Sequence, residues 1–109
     1  MKNMKKLDTI MNELGHAERQ IGTYYIREAV SIYDRGRQWT KDMYPALAEA
    51  AGAGKAASVE RAMRHSIQSA WARGSIDEQR RLFGYSVDPE RGVPCVSEYV
   101  ARLAREIDE

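Results

Sequence analysis

Apolar residues recur along most of the chain at steps of three and four, the period at which side chains return to one side of an α-helix. Leu7, Ile10, Met11 and Leu14 form the first such stripe, and Gly15 behind it suits a left-handed C-terminal cap. A second stripe, Tyr25, Ile26, Ala29, Ile32 and Tyr33, predicts a helix over about Glu18–Asp34. Gly22 weakens that helix by about 1 kcal/mol relative to alanine, and its missing side chain permits close packing of a neighbour. Arg35-Gly36-Arg37 reads as the exit.

Thr40 is the expected N-cap of a third helix that turns Met43, Tyr44, Leu47, Ala48 and Ala51 inward. Pro45 removes one backbone donor and crowds the preceding turn, so either a kink or a fresh helix is expected there. Gly52-Ala53-Gly54 ends it. The fourth helix, from about Ala57 to Arg73, carries the clearest signature. Val59, Ala62, Met63, Ser66, Ile67, Ala70 and Trp71 line one side of it, while Glu60, Arg61, Arg64, His65 and Gln68 line the other. Gly74 terminates it, and Ser75 with Glu78 has capping-box spacing for a short fifth helix through about Leu82. Turn formers follow (Gly84, Asp88, Pro89, Gly92, Pro94) before a last helix from about Ser97 that buries Tyr99, Val100, Leu103, Ala104 and Ile107. Alternation suited to a strand is confined to Tyr85-Ser86-Val87. The pattern predicts an all-α fold: one compact bundle of about six helices across residues 1–109, with a helix-turn-helix and no wing.

Composition fits that picture. Of 109 residues, 43% are apolar and 30% charged, which suits a folded domain and is too apolar for a disordered tail. No apolar run approaches the roughly 18 residues of a membrane helix. The basic N-terminus is followed by Leu7-Asp8-Thr9-Ile10, which is no signal core. A cytoplasmic protein without a membrane partner is expected, and the single cysteine, Cys95, agrees with a reducing compartment. The net charge of only +1 is low for a nucleic-acid binder. Phosphate binding would therefore need a local basic face, with the carboxylates placed elsewhere.

A helix ending in Leu47-Ala48-Glu49-Ala50-Ala51-Gly52, a short turn and a second amphipathic helix is the layout of a helix-turn-helix. In that motif the N-terminal part of the second helix enters the major groove of double-stranded DNA. Ser58, Glu60, Arg61, Arg64 and His65 point outward there. An arginine fork matches O6 and N7 of guanine, and a carboxylate accepts from N4 of cytosine. Lys41, Arg35, Arg37, Lys55 and Arg73 are suited to phosphates, which position a domain without reading sequence. Periodicity alone does not decide the matter. Charged residues on an outer helix face are ordinarily solvated surface, and Glu60–Arg64 is an ordinary i, i+4 pair.

The segments Val59-Glu60-Arg61-Ala62-Met63-Arg64-His65 and Ala70-Trp71-Ala72-Arg73-Gly74 closely resemble the C-terminal effector domain of the sporulation response regulator, the stage zero sporulation protein A family. The likeness runs over nearly the whole chain. It takes in Gly15, Gly22-Thr23-Tyr24-Tyr25-Ile26-Arg27-Glu28-Ala29, Thr40-Lys41, Tyr44-Pro45, Ile76-Asp77, Leu82-Phe83-Gly84-Tyr85, Pro94 and Ser97-Glu98. The resemblance implies a six-helix domain that binds a short promoter box, often in tandem copies. It implies that Glu60, Arg61 and Arg64 face the bases, and that Lys41 and His65 meet the DNA backbone. It also implies that Ser75–Tyr85 and the final helix meet RNA polymerase or a second copy of the domain.

Three departures stand out. The turn Gly52-Ala53-Gly54-Lys55-Ala56-Ala57 is about one residue longer than the family pattern, and Ser58 replaces an expected arginine among the backbone contacts. The Asp34–Trp39 connection is shorter. The family's regulator also carries a receiver of on the order of 100 residues, for which this chain leaves no room ahead of its first helix. Constitutive binding, or control by another protein, is therefore expected.

Other chemistries find no pattern. His16, His65 and Cys95 lack metal-ligand spacing, so no metal is expected, and a surface or packing role is favoured for the histidines. Cys95 has no nucleophile motif and belongs at the start of the last helix. Gly52-Ala53-Gly54-Lys55 lacks the glycine-lysine-serine/threonine pattern of a phosphate loop. Tyr24, Tyr25, Tyr33 and Tyr44 suit a core with hydroxyls at its edge. No enzyme, cofactor or small-molecule substrate is expected. The remaining alternative is a receiverless interaction module that acts on a full-length regulator or on RNA polymerase without reading DNA itself.

Overall fold

A computed structural model describes residues 2–52, 55–84 and 92–108. Among the described residues six α-helices follow one another: α1 Met4–Glu13, α2 Ile21–Ile32, α3 Tyr44–Ala51, α4 Ala56–Arg73, α5 Ile76–Phe83 and α6 Val96–Ile107. Strands are absent among the described residues, apart from an isolated bridge between Lys2 and Asp108. No described helix is long and apolar enough to cross a membrane. The suggested alternation at Tyr85-Ser86-Val87 and the turn residues Asp88 and Pro89 lie outside the described residues, as do Ala53 and Gly54.

The apolar stripes close on one core that includes Leu7, Leu14, Ile26, Val30, Met63, Ile67, Tyr99 and Leu103. Several expectations shift locally. Helix α2 is shorter than Glu18–Asp34, because the chain first turns through Gln20, whose carbonyl accepts from Thr23 N–H at 3.1 Å. At its other end, Lys2 Nζ donates to the carbonyls of Val30, Ser31 and Tyr33 at 2.7, 3.0 and 2.9 Å. A cation on the last carbonyls is the favourable partner for a helix C-terminus. Thr40 does not cap the third helix. Residues Trp39–Met43 instead form a π-helical turn that begins after Gln38 and feeds directly into α3. Within it, Met43 N–H and Tyr44 N–H reach back to the Gln38 and Trp39 carbonyls. Pro45 then falls in the first turn of α3, where its missing N–H needs no partner. Of the two outcomes open for Pro45, the fresh helix is the one adopted. Ala51 faces solvent, and Tyr44 is half-buried.

Helix α4 lies against α2 at Gly22. A Cβ built there would run into the Ala62 carbonyl oxygen and sit 2.6 Å from Ser66 Cβ, so only glycine admits this contact. The loops after α1 and α4 also cross backbone to backbone at Gly15 (φ +94°) and Gly74, and Ser75 N–H donates to the Glu13 carbonyl at 3.0 Å. Ser75 caps α5 by accepting from Glu78 N–H at 3.2 Å, as the capping-box spacing predicts. Glu78 turns instead to Arg81.

Ser66 is the polar position in the apolar stripe of α4, and it is buried. Its hydroxyl lies 3.1 Å from His16 Nδ1 and 3.3 Å from Thr23 Oγ1, while His16 Nε2 lies 2.7 Å from Tyr99 Oη. Proton directions follow from one fixed end. Thr23 O–H donates to the Ala17 carbonyl at 2.7 Å, so Ser66 O–H donates to Thr23, and His16 Nδ1–H donates to Ser66. Nε2 is then bare and accepts the Tyr99 proton. The ring must be neutral for this chain of bonds. Burial, and then the nearby Arg73 guanidinium, hold His16 down at about 4 from its ordinary 6.5.

That depression sets a pH dependence. Between pH 6.5 and 4 the unfolded chain binds more protons at His16 than the folded one, so this contribution is complete above 6.5 and declines through the window as pH falls. The slope approaches about 1.4 kcal/mol per pH unit, for a total of roughly 3 kcal/mol. Chemical denaturation of wild type and His16→Gln at pH 7 and pH 4.5 measures it. The glutamine variant loses less stability on acidification, and equal losses would contradict the neutral buried ring.

Candidate nucleic-acid interface

Helix α3, the turn at Gly52 and helix α4 form the helix-turn-helix. Gly52 closes α3 in the left-handed region (φ +66°), donating to the Ala48 and Glu49 carbonyls. Lys55 caps the start of α4 without a side-chain bond, and the first turn carries no acidic residue. Its N–H groups thus remain open to an anion, at the positive end of the helix dipole.

Val59, Met63, Ser66, Ile67 and Ala70 bury one side of α4. Ser58, Arg61, Arg64, His65 and Gln68 are exposed on the other, and Glu60 sits at its margin, half-buried. The fold therefore gathers Lys55, Ser58, Glu60, Arg61, Arg64 and His65 within the first three turns of one helix. Residues 39–73 hold five basic side chains against three acidic ones, which is the local surplus that a net charge of +1 hides. Arg64 Nη1 donates to Glu60 Oε1 at 3.2 Å. The pair is exposed enough (55% and 33%) to be worth little, on the order of 0.5 kcal/mol, so the guanidinium is free to exchange partners.

Tyr44, assigned from the sequence to the inward side of α3 with its hydroxyl at the edge of the core, reaches this margin. Its hydroxyl is pushed up to about 12, first by burial and then by the Glu60 carboxylate, so it stays protonated. Its ring tilts against Trp39 at 5.2 Å. The approach of Tyr44 to Glu60 joins α3 to α4, which no single-helix periodicity announces.

Three expected phosphate contacts stand apart. Lys41 is exposed on the π-helical turn, a separate element. Arg35 lines a groove of about 540 Å³ with Tyr33 and the α6 residues Ala101, Ala104 and Arg105. Arg73 is two turns beyond His65, and its Nε donates to the Gly15 carbonyl at 2.7 Å. Cys95 caps α6, where the sequence put it, with an exposed thiol. Among the described residues no three His, Cys, Asp or Glu side chains converge as a metal site.

The family model described as sporulation initiation factor Spo0A C terminal matches residues 7–107. That span runs from the first core leucine to the last core isoleucine and contains all of α3 and α4. By that match and by its six-helix fold, the chain belongs to the Spo0A C-terminal family, the DNA-binding effector domains of sporulation regulators, which is not a family of enzymes.

Proposed function

We propose that the chain regulates transcription by reading a short promoter box, with the N-terminal half of α4 in the major groove. Arg61 and Arg64 donate to guanine O6 and N7, and Glu60 accepts from cytosine N4. Lys41, Lys55, Ser58 and His65 hold phosphates. Arg73 adds to that grip only through its Nη groups, because its Nε is already on the Gly15 carbonyl. One observation carries the reading: Arg61, Arg64 and His65 share the exposed side of a helix whose opposite side is fixed in the core.

The same reading gives the surfaces of α5 and α6 to RNA polymerase, or to a second copy on tandem boxes. The exposed Ile76 at the head of α5 (60%) supports a protein contact there. Selection of bound duplexes from a random pool tests the proposal, and one enriched box is expected. A pool that stays random would favour the docking module instead. Lys41→Ala should weaken binding to all duplexes alike and lower the salt slope by about 1. Anisotropy titrations at three salt concentrations measure both.

A further inference from the structure

The C-terminal half of α4 is held from one side by a single short stretch of chain, Gly15–Thr23. Arg73 Nε bonds the Gly15 carbonyl at 2.7 Å. Ser66 Oγ lies within hydrogen-bond distance of both His16 and Thr23. Gly22 sits against Ala62 and Ser66 with no room for a side chain. These contacts differ in kind. Glycine packing sets how near α4 lies, whereas the Ser66–His16 bond is directional and resists rotation about the helix axis. The far end of the relay is also rigid. Tyr99, which takes His16 Nε2 at 2.7 Å, stacks on Phe83 at 5.2 Å and meets Trp71 edge-on at 6.4 Å.

Ser66 lies five residues after Arg61 and two after Arg64, about 140° and 160° away around an α-helix. A bond at Ser66 therefore fixes the direction in which both arginines point on the opposite side. Rotation of α4 by about 10° would move a group some 6 Å from the axis by roughly 1 Å. That is enough to take a fork out of the 2.7–3.2 Å range of a good hydrogen bond to a base.

We propose that His16 is a positioning residue for DNA recognition: bonded between Tyr99 on α6 and Ser66 on α4, it sets the rotation of the recognition helix. This rests on the base-reading role of α4 proposed above. It concerns specificity more than affinity in general, because phosphate contacts tolerate an ångström of displacement and bidentate base contacts do not. Tyr99 takes part through His16, and Thr23 through its own bond to Ser66.

The test compares wild type, Ser66→Ala and His16→Gln on two duplexes, the selected box and a scrambled version of it. Ser66→Ala keeps a good helix former and removes only the hydroxyl. It should bind the selected box about tenfold more weakly and the scrambled duplex within twofold of wild type. His16→Gln retains a donor and an acceptor and should recover most of the loss. Ile107→Val, a core truncation on α6, controls for stability and should leave the ratio of the two affinities unchanged. Amide NMR of the free proteins gives a readout without DNA: in Ser66→Ala, resonances of residues 60–65 on α4 should shift and those of α1 should not. Equal weakening on both duplexes, an unchanged ratio, or undisturbed α4 resonances would overturn the assignment. If wild type itself fails to separate the two duplexes while Ser66→Ala still shifts α4, the base-reading role has failed and the rotational role of His16 stands as a structural one only.

Discussion

Arg64→Ala lowers affinity for the selected box by about fivefold to 150-fold, the equivalent of roughly 1–3 kcal/mol, and relaxes preference at one base position. The size follows from what the side chain gives up. Its partner in the free protein is Glu60 at 3.2 Å, an exposed i, i+4 pair that costs little to open. Nearly all of the bidentate contact then counts toward binding. Truncation also removes one charge, so affinity for random duplex falls slightly and the salt slope flattens. Arg64→Lys separates the two effects. Lysine keeps the charge and loses the planar fork, so non-specific binding is retained while discrimination falls. Arg61 is exposed on the same side and should behave alike. Anisotropy titrations on the selected box and on variants at each base pair give both numbers. Arg64→Ala with unchanged affinity and preference would remove this residue from base reading.

The largest stability effect is expected at Gly22. A glycine in a helix is ordinarily improved by alanine, by up to about 1 kcal/mol and by less in the first turn, where Gly22 lies. Here the sign reverses. The new Cβ would meet the Ala62 carbonyl oxygen, and backbone cannot swing aside as a flexible side chain can. Helices α2 and α4 would have to part along their contact, opening gaps elsewhere in a core that includes Ile26, Met63 and Ile67. Overpacking of this kind costs typically 1–3 kcal/mol, and Gly22→Val, with two further methyl groups, belongs at or above the upper end. For a domain of this size each kcal/mol lowers the melting temperature by roughly 4–8 °C. A fall of on the order of 15 °C is expected for Gly22→Val by circular dichroism at 222 nm. A fall below about 3 °C would mean that the two helices are not in contact at this point.

How much was legible before the structure depends on the kind of residue. The stripes in α1, α4 and α6 were plain, because a side buried against one core leaves a period of 3.6 in the sequence. Gly22 was legible as a place of close approach, though not as to which helix approaches. Thr40 misled, since a threonine before an apolar stripe is a good cap locally. Pro45 could not continue the preceding bonds, and the chain met that constraint with a π-helical turn that ends two residues earlier. His16 was legible only as a packing or surface residue. Its one hint lay elsewhere, in Ser66: a hydroxyl within an apolar stripe must find a partner, but the sequence does not say where.

Arg73 illustrates the same limit on the functional side. As a basic residue at the end of the recognition helix it suited a phosphate, and in the folded chain it holds a carbonyl 58 residues away. Helices, the side of each that is buried, and the chemical types offered on α4 were determined by the order of residues alone, because each depends on neighbours within about four positions. Which helices touch, the proton order from Tyr99 to Ala17, the approach of Tyr44 to Glu60, and the release of Arg64 beside the capture of Arg73 were decided only in three dimensions. The links from Tyr44 to Glu60, from His16 to Ser66, from Arg73 to Gly15 and from His16 to Tyr99 join residues from 16 to 83 positions apart, and no local period carries information across such a span.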